Sequence, residues 1–136
     1  MKKFRVYLCD LTYDTIILVS DTIPINIGFI GSYMKKIFGE KIDLSLFKYP
    51  NDVIQAIKNN PPDMICLSNY SWNSNLSENV ASIAKKFNSD VVTVQGGTIF
   101  LTNQCYKKSS YRIDQILIFI LFWKEKDRAQ ILFKEF

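Results

Sequence analysis

The sequence predicts an α/β fold in three layers, with a parallel sheet of four to five strands and helices on both faces. Short apolar runs of strand length alternate with segments in which apolar residues recur at helical spacing. Only short links separate them, and such alternation forms βαβ units whose strands are parallel and whose helices cover the sheet. A chain of 136 residues suffices for one such core. The predicted fold is therefore flavodoxin/Rossmann-like.

Four apolar runs are the predicted strands. The run at 63–70, "DMICLSNY", is nearly all apolar until its last residues, which is typical of a strand covered on both faces. The run at 43–49 alternates apolar and polar positions, which suits a strand near an edge of the sheet. The other two predicted strands cover 4–10 and 90–97.

Three segments are predicted helices, and they cover 24–39, 51–60 and 75–88. Pro24 stands near the first turn of the first helix and Gly39 at its end, as the usual preferences of helix termini require. Asn51 is the predicted N-cap of the second helix. The third helix is expected to turn five side chains inward, namely Leu76, Val80, Ile83, Ala84 and Phe87.

The charge and hydropathy patterns indicate neither a nucleic-acid partner nor a membrane partner. The net charge is +4, but the lysines occur in separated pairs and form no basic stripe interleaved with aromatic residues. We therefore expect no nucleic-acid partner. The longest apolar stretch, "ILIFILFW" at 116–123, is well short of the roughly 20 residues that span a bilayer, so no membrane partner is expected either.

Cysteine usage and the N-terminal segment predict a cytoplasmic protein. Cys9, Cys66 and Cys105 are far apart in the chain, and the first two fall in strand-like runs, so reduced thiols are expected. The segment "MKKFRVYLCD" lacks the continuous apolar region and cleavage site of a secretion signal.

Polar side chains and glycines follow three of the predicted strands. In a parallel sheet a ligand binds beyond the carboxyl ends of the strands, at the point where strand order switches. Singly, each residue has a structural explanation: a tight turn for the glycines, a lid on the core for the tryptophan, local caps for the others. Together they predict a binding site at one rim, formed by Asp10, Thr12, Tyr13, Ser68, Asn69, Ser71, Trp72, Gln95, Gly96, Gly97 and Thr98.

The sequence offers no self-contained catalytic machinery. It has no histidine, which is the usual general base near neutral pH and the usual nitrogen ligand of a metal. No phosphate-binding P-loop and no CxxxCxxC cluster motif are present. A phosphorelay receiver has the same architecture but needs an acceptor aspartate after the third strand, where Ser68 and Asn69 stand. We assign no catalytic residue and no metal-ligating residue.

Three motifs resemble one family. "VYLCDLTYDT", "LSNYSWN" and "VVTVQGGT" are similar to the N-terminal cobalamin (B12)-binding domain of B12-dependent radical S-adenosylmethionine (radical SAM) proteins, over about residues 4 to 98. The resemblance implies a corrinoid on the rim, with its nucleotide tail entering beside the first strand. It implies fourteen cofactor-binding residues: Asp10, Leu11, Thr12, Tyr13 and Asp14 at the tail entrance; Ser68, Asn69, Tyr70, Ser71 and Trp72 flanking tail and corrin; Gln95, Gly96, Gly97 and Thr98 closing over them.

One departure from the family concerns the cobalt. Many cobalamin domains supply a lower axial histidine from a DxHxxG loop after the first strand, where this sequence reads Asp10-Leu11-Thr12-Tyr13. The resemblance therefore implies base-off cobalamin with no protein histidine on the cobalt. The corrin would be held by apolar contacts and by hydrogen bonds to its amide side chains.

The resemblance stops after Thr98, so residues 1–98 are a cobalamin-binding-like domain and 99–136 a divergent tail. Codons for 123–131, read one base out of frame, permit "EGEGSSSN", which the family would place there. We therefore expect a single-base loss near codon 99 and a truncated protein, with a naturally divergent tail as the alternative. Residues 115–123 of this tail are candidates for a fifth strand, and 127–136 for a last helix.

The expected role is to present cobalamin to a radical SAM domain, which is absent from this chain and would act in trans. The chain alone is not expected to be an enzyme, and no iron–sulfur cluster is expected in it. Two alternatives on the same fold are a ligandless interaction or regulatory domain and a non-functional fragment. A third is an enzyme for a small nucleotide or flavin.

Overall fold

The computed structural model describes residues 3–13, 23–96 and 110–111. These residues contain a five-stranded sheet in the order β2-β1-β3-β4-β5, and every pair of neighbouring strands is parallel. The elements are β1 (Phe4–Cys9), α1 (Ile25–Phe38), β2 (Ile42–Phe47), α2 (Pro50–Asn59), β3 (Met64–Ser68), α3 (Ser74–Phe87), β4 (Val92–Gly96) and β5 (Ser110–Tyr111). This is the flavodoxin-like strand order, and the predicted fold class is confirmed.

Helices cover both faces of the sheet. The side chains of β1 alternate between two cores: Val6 and Leu8 pack with the inner face of α1, and Tyr7 and Cys9 pack with α2 and α3. The same alternation continues in β3, where Ile65 belongs to the core under α2 and α3. Two hydrophobic cores, one on each side of the sheet, therefore hold the three layers together.

The positions of β2 and β3 agree with their sequence patterns. The apolar strand β3 lies in the interior of the sheet, between β1 and β4, with Ile65 and Leu67 fully buried. The alternating strand β2 lies at an edge, and Leu46 in it is 48% exposed. A strand with helices on both sides needs apolar residues at every position, whereas an edge strand does not.

Two details of the predicted helices are wrong. Helix α2 begins at Pro50, and its N-cap is Tyr49 without a side-chain hydrogen bond, so Asn51 lies inside the helix. Proline fits the first helical position because its missing N–H is not needed there. Phe87 is the last residue of α3 and is 49% exposed. The buried stripe of α3 ends at Ala84, and Val91, just before β4, is fully buried in the same core.

Helix α1 lies close to the sheet at a glycine. A Cβ atom at Gly31 would stand 3.2 Å from Leu44 Cδ2, 3.3 Å from Leu46 Cδ2 and 3.4 Å from Leu8 Cδ1. The absence of a side chain therefore sets how deeply α1 sits on β1 and β2. The helix ends at Gly39, as predicted, with a φ of 52° that favours glycine.

The strand that pairs with β4 is Ser110–Tyr111, earlier in the chain than the segment predicted for a fifth strand. That segment, 115–123, and the predicted last helix at 127–136 lie outside the described residues. Cys9 and Cys66 are free thiols, as predicted, and Cys105 is outside the described residues. None of the described helices combines the length and apolar character that a membrane span requires.

Candidate functional site

A pocket of about 400 Å³ opens at the carboxyl end of β1, next to β3. These two strands are neighbours in the sheet, although the chain visits β2 between them, so the pocket lies at the switch point of strand order. Three links and the start of α1 supply its walls. The lining residues are Asp10, Leu11, Thr12, Ile23, Pro24, Ile25, Asn26, Lys48, Tyr70 and Trp72.

Backbone hydrogen bonds fix the link that follows β1. The N–H of Asp10 donates to the carbonyl of Phe47 at 3.0 Å, and the N–H of Thr12 donates to the carbonyl of Lys48 at 3.0 Å. The sheet ladder thus continues past the last residues of β1 and β2. Asp10 and Thr12 are held at the floor of the pocket by the strands themselves.

Side-chain hydrogen bonds join the links after β1 and β3. Ser68, the last residue of β3, donates its hydroxyl to the carboxylate of Asp10. The side-chain N–H groups of Asn73 donate to the carbonyl of Leu11 at 3.0 Å and to Ser68 Oγ at 3.3 Å. Asp10 and Ser68, both predicted for the rim, are therefore brought together by the structure.

Asn73 is central to this arrangement and was not among the predicted site residues. Its side chain is fully buried, and besides the two donated bonds its Oδ1 accepts the N–H of Tyr70 at 2.8 Å. One buried amide thus holds the β1 link, the end of β3 and the turn before α3. The signal in the sequence was a polar residue directly before a helix, at the end of "SNYSWN".

Tyr70 and Trp72 form an aromatic wall of the pocket. Their rings are stacked, with centroids 4.7 Å apart and planes 7° from parallel. Trp72 is 64% exposed, so it does not act as a lid on the core. An exposed indole supported by a second ring presents a flat apolar surface to whatever enters the pocket.

A second polar pair lies at the ends of β3 and β4. Asn69 is fully buried and donates its Nδ2 to Gln95 Oε1 at 3.1 Å, while its backbone N–H donates to the carbonyl of Gly96 at 2.7 Å. Asn69 Oδ1 is buried and has no hydrogen-bond partner among the described residues. If the amide oxygen and nitrogen were exchanged in both Asn69 and Gln95, Asn69 Nδ2 would be the buried atom without a partner. An unpaired buried polar atom costs about 1–3 kcal/mol.

Strand alternation assigns the two polar pairs to different sides of the sheet. Asp10 continues the β1 positions that face α1, and it lines the pocket together with the first residues of α1. Gln95 alternates with Val94, whose side chain belongs to the core under α1, so Gln95 faces the other side. The predicted rim thus divides into two polar pairs, one on each side of the sheet, and only the Asp10 side adjoins the pocket.

Other predicted residues contribute less or lie elsewhere. Tyr13 and Ser71 are exposed beside the pocket without lining it. Asp14, Gly97 and Thr98 are outside the described residues. The sequence interpretation missed the start of α1, residues 23–26, as well as Lys48 after β2. Lys48 could have been found, because the rule that ligands bind at carboxyl ends of strands applies to β2 as well.

The charges around the pocket are few. Asp10 supplies a carboxylate, Lys48 an ammonium group, and the first turn of α1 contains no acidic residue. Burial raises the pKa of the Cys66 thiol to about 12 and the pKa of the Cys9 thiol well above its ordinary value. Both thiols are therefore protonated near neutral pH. Within 3–13 and 23–96, no three His, Cys, Asp or Glu side chains are grouped to hold a metal ion.

Comparisons with known proteins add little. No protein-family model and no curated protein matches this chain. Among solved structures, the crystal structure of a response regulator receiver protein from Sinorhizobium medicae WSM419 is similar, with 10% sequence identity and a TM-score of 0.49. The similarity covers 94% of this chain and 98% of that chain. At this identity and TM-score it gives no argument about function. The fold and the pocket define a flavodoxin-like α/β domain with a candidate ligand site at its switch point.

Proposed function

We propose that this chain is a cobalamin-binding domain that presents the corrinoid to a radical SAM domain in trans. The observation that supports this most directly is the 400 Å³ pocket at the carboxyl end of β1, walled by Tyr70 and Trp72. The motif resemblance assigns the nucleotide tail to the region beside the first strand, which is where this pocket lies. The proposal therefore joins a sequence resemblance to an independent geometric feature.

The residues of the pocket suit the nucleotide tail of a corrinoid in size and polarity. The pocket is of a size that suits a small planar group, so it would take the nucleotide tail, with the corrin outside it. Trp72 and Tyr70 would pack against the planar part of the ligand. The carboxylate of Asp10 is a hydrogen-bond acceptor that lines the pocket, and it suits hydroxyl groups and amide N–H groups of the ligand.

The chain supplies no strong ligand for the cobalt. It has no histidine, and the thiols of Cys9 and Cys66 lie in the cores with raised pKa values. Cobalamin held with its nucleotide tail in the pocket would be base-off, and without an imidazole from the protein. When bound, cobalamin would supply methyl-transfer or related radical chemistry. The role of this chain is binding and orientation, in the cytoplasm, where free thiols remain reduced.

The test is a visible absorption titration of the chain with hydroxocobalamin, carried out beside Trp72→Ala. We expect a saturable spectral change at micromolar ligand, of base-off character, and an affinity at least about tenfold weaker in Trp72→Ala because the stacking surface is lost. Phe87→Ala removes an exposed aromatic ring far along α3 from the pocket and should bind as the wild type does.

If Trp72→Ala bound cobalamin as tightly as Phe87→Ala, the ligand would not occupy this pocket. A folded wild-type chain that leaves the spectrum unchanged would end the cobalamin proposal. The ligandless interaction or regulatory domain would then be the function to pursue, because the fold itself does not depend on the ligand.

A further inference from the structure

Helix α1 carries large apolar side chains on its outer face as well as on its inner face, and the outer ones are exposed beside Asn26, Ser32 and Lys35. Ile27, Met34 and Phe38 are buried against the sheet. On the opposite side, at successive helical turns, the solvent-facing positions form a row that we call the outer stripe, which consists of Ile25, Phe29, Tyr33 and Lys36. Ile25 is 59% and Phe29 72% exposed. Exposed large apolar side chains that cluster in this way mark a candidate contact surface.

The exposed apolar side chains are concentrated around this stripe and the pocket. Eight large hydrophobic residues are exposed among the described residues. Six of them lie around the stripe and the pocket: Tyr13, Ile23, Ile25, Phe29, Tyr33 and Trp72. Together they expose roughly 700 Å², if a large side chain presents about 150–250 Å² in full. A standard interface buries about 800 Å² on each partner, so this surface has the area of one side of a stable dimer.

We propose that this surface is a homodimer interface, in which the α1 helices of two copies pack antiparallel about a two-fold axis at Phe29. Two-fold dimers use the same patch on both copies, and a straight stripe centred on one aromatic residue is complementary to itself. The stripe carries no acidic residue and ends in Lys36. The interface goes beyond the proposed cobalamin function and does not depend on it.

Charge decides between the two possible helix directions. Parallel packing would bring Lys36 of one copy beside Lys36 of the other. Antiparallel packing places these two residues about 21 Å apart, because Lys36 is seven residues from Phe29 and a helix rises about 1.5 Å per residue. That distance exceeds the screening length of about 8 Å at physiological ionic strength. The antiparallel arrangement therefore avoids repulsion and also opposes the two helix dipoles.

The antiparallel arrangement gives the second copy a role at the pocket. Position 25 of one copy faces position 33 of the other, and Ile25 lines the pocket. Tyr33 of the second copy would therefore stand beside Ile25 at the edge of the pocket. Each copy would thus add one tyrosine to the wall of the other's pocket.

The first test is sedimentation equilibrium of the full chain without ligand. We expect the average mass to rise with protein concentration from 15.8 kDa toward twice that value, with a dissociation constant in the micromolar range or tighter. Phe29→Glu should weaken association roughly 30-fold or more, because a charge is placed at the centre of the interface. Phe87→Glu makes the same change at an exposed position outside the patch and should leave association unchanged.

A wild-type chain that remains monomeric up to submillimolar concentration would overturn the proposal. Association that survives in Phe29→Glu would also overturn it, since contacts elsewhere, such as the apolar segment 115–123, would then be responsible. Far-ultraviolet circular dichroism checks that Phe29→Glu is folded, which is expected because this side chain is 72% exposed.

The second test addresses the helix direction. Ile25→Glu and Tyr33→Lys should each weaken the dimer, and the two changes in one chain should restore much of the loss, because antiparallel packing brings the new opposite charges together twice. A double variant that associates more weakly than both single variants would contradict the antiparallel arrangement.

Discussion

At the scale of single residues, the site depends on buried amides more than on charged groups. Asn73 holds three backbone or side-chain groups from different parts of the chain, and it is fully buried. Ser77 adds a further constraint, because its hydroxyl donates to the carbonyl of Ser68 at 2.8 Å. Neutral hydrogen bonds of this kind fix the pocket without placing an additional charge in it.

Asn73→Ala should lower the free energy of unfolding by about 2–4 kcal/mol, because it leaves the buried carbonyl of Leu11 and the N–H of Tyr70 without their partners. Urea unfolding followed by circular dichroism measures this. Asn75→Ala and Asn79→Ala change exposed asparagines of α3 and should stay within about 0.5 kcal/mol of the wild type. If Asn73→Ala were as stable as these two controls, the central role of Asn73 would be wrong.

At the scale of elements, the two faces of α1 are each constrained by a different contact. Its inner face approaches the sheet at Gly31, where a Cβ would lie 3.2–3.4 Å from three leucine methyl groups. Its outer face carries the stripe proposed for dimerisation, and its first residues form part of the pocket. One helix thus connects the core, the ligand site and the candidate interface.

Gly31→Leu should destabilise the protein by about 1–3 kcal/mol, because the added side chain must displace packed leucines. Gly28→Leu, in the same helix, meets nothing within 4 Å of its Cβ and should be neutral or stabilise by up to about 1 kcal/mol through helix propensity. Thermal and urea unfolding of the two variants give the comparison. Equal stability of both would mean that α1 does not lie as close to the sheet as described.

Different features of the fold and the site could be predicted from the sequence to different degrees. The order and type of the elements in 4–96 followed from apolar periodicity, which depends only on neighbouring residues. The exact start of α2 and the exposure of Phe87 did not, because both depend on how a helix end meets the sheet. Ser68 and Asp10 were predicted for one rim, yet their direct hydrogen bond and the part of Asn73 required three-dimensional packing.

At the scale of the whole molecule, the sheet separates two cores that each contain one thiol. Cys66 packs with the core under α1, whereas Cys9 belongs to the core under α2 and α3. The strands β1, β2 and β3 each contribute residues to both cores. A domain of this size is expected to unfold as one cooperative unit.

In a Cys105→Ser variant, the thiols of Cys9 and Cys66 should become reactive at the same urea concentration. In the folded state at pH 8, Cys9 is buried and Cys66 is partly buried, and their raised pKa values keep both thiols almost entirely protonated, so the reactive thiolate is scarce. Pulsed alkylation with mass spectrometry measures the midpoint for each cysteine separately. Modification of Cys66 at a clearly lower urea concentration than Cys9 would show that the core under α1 opens alone, contrary to this expectation.

The alternation of β3 has a consequence for how this protein can vary. Ser68 and Asn69 are adjacent in the chain, but Ser68 bonds to Asp10 on the α1 side and Asn69 to Gln95 on the other side. A substitution at one therefore leaves the surroundings of the other almost unaltered. Natural variation, or a protein engineer, can therefore change the polar pair beside the pocket while the Asn69–Gln95 pair continues to hold the ends of β3 and β4 together.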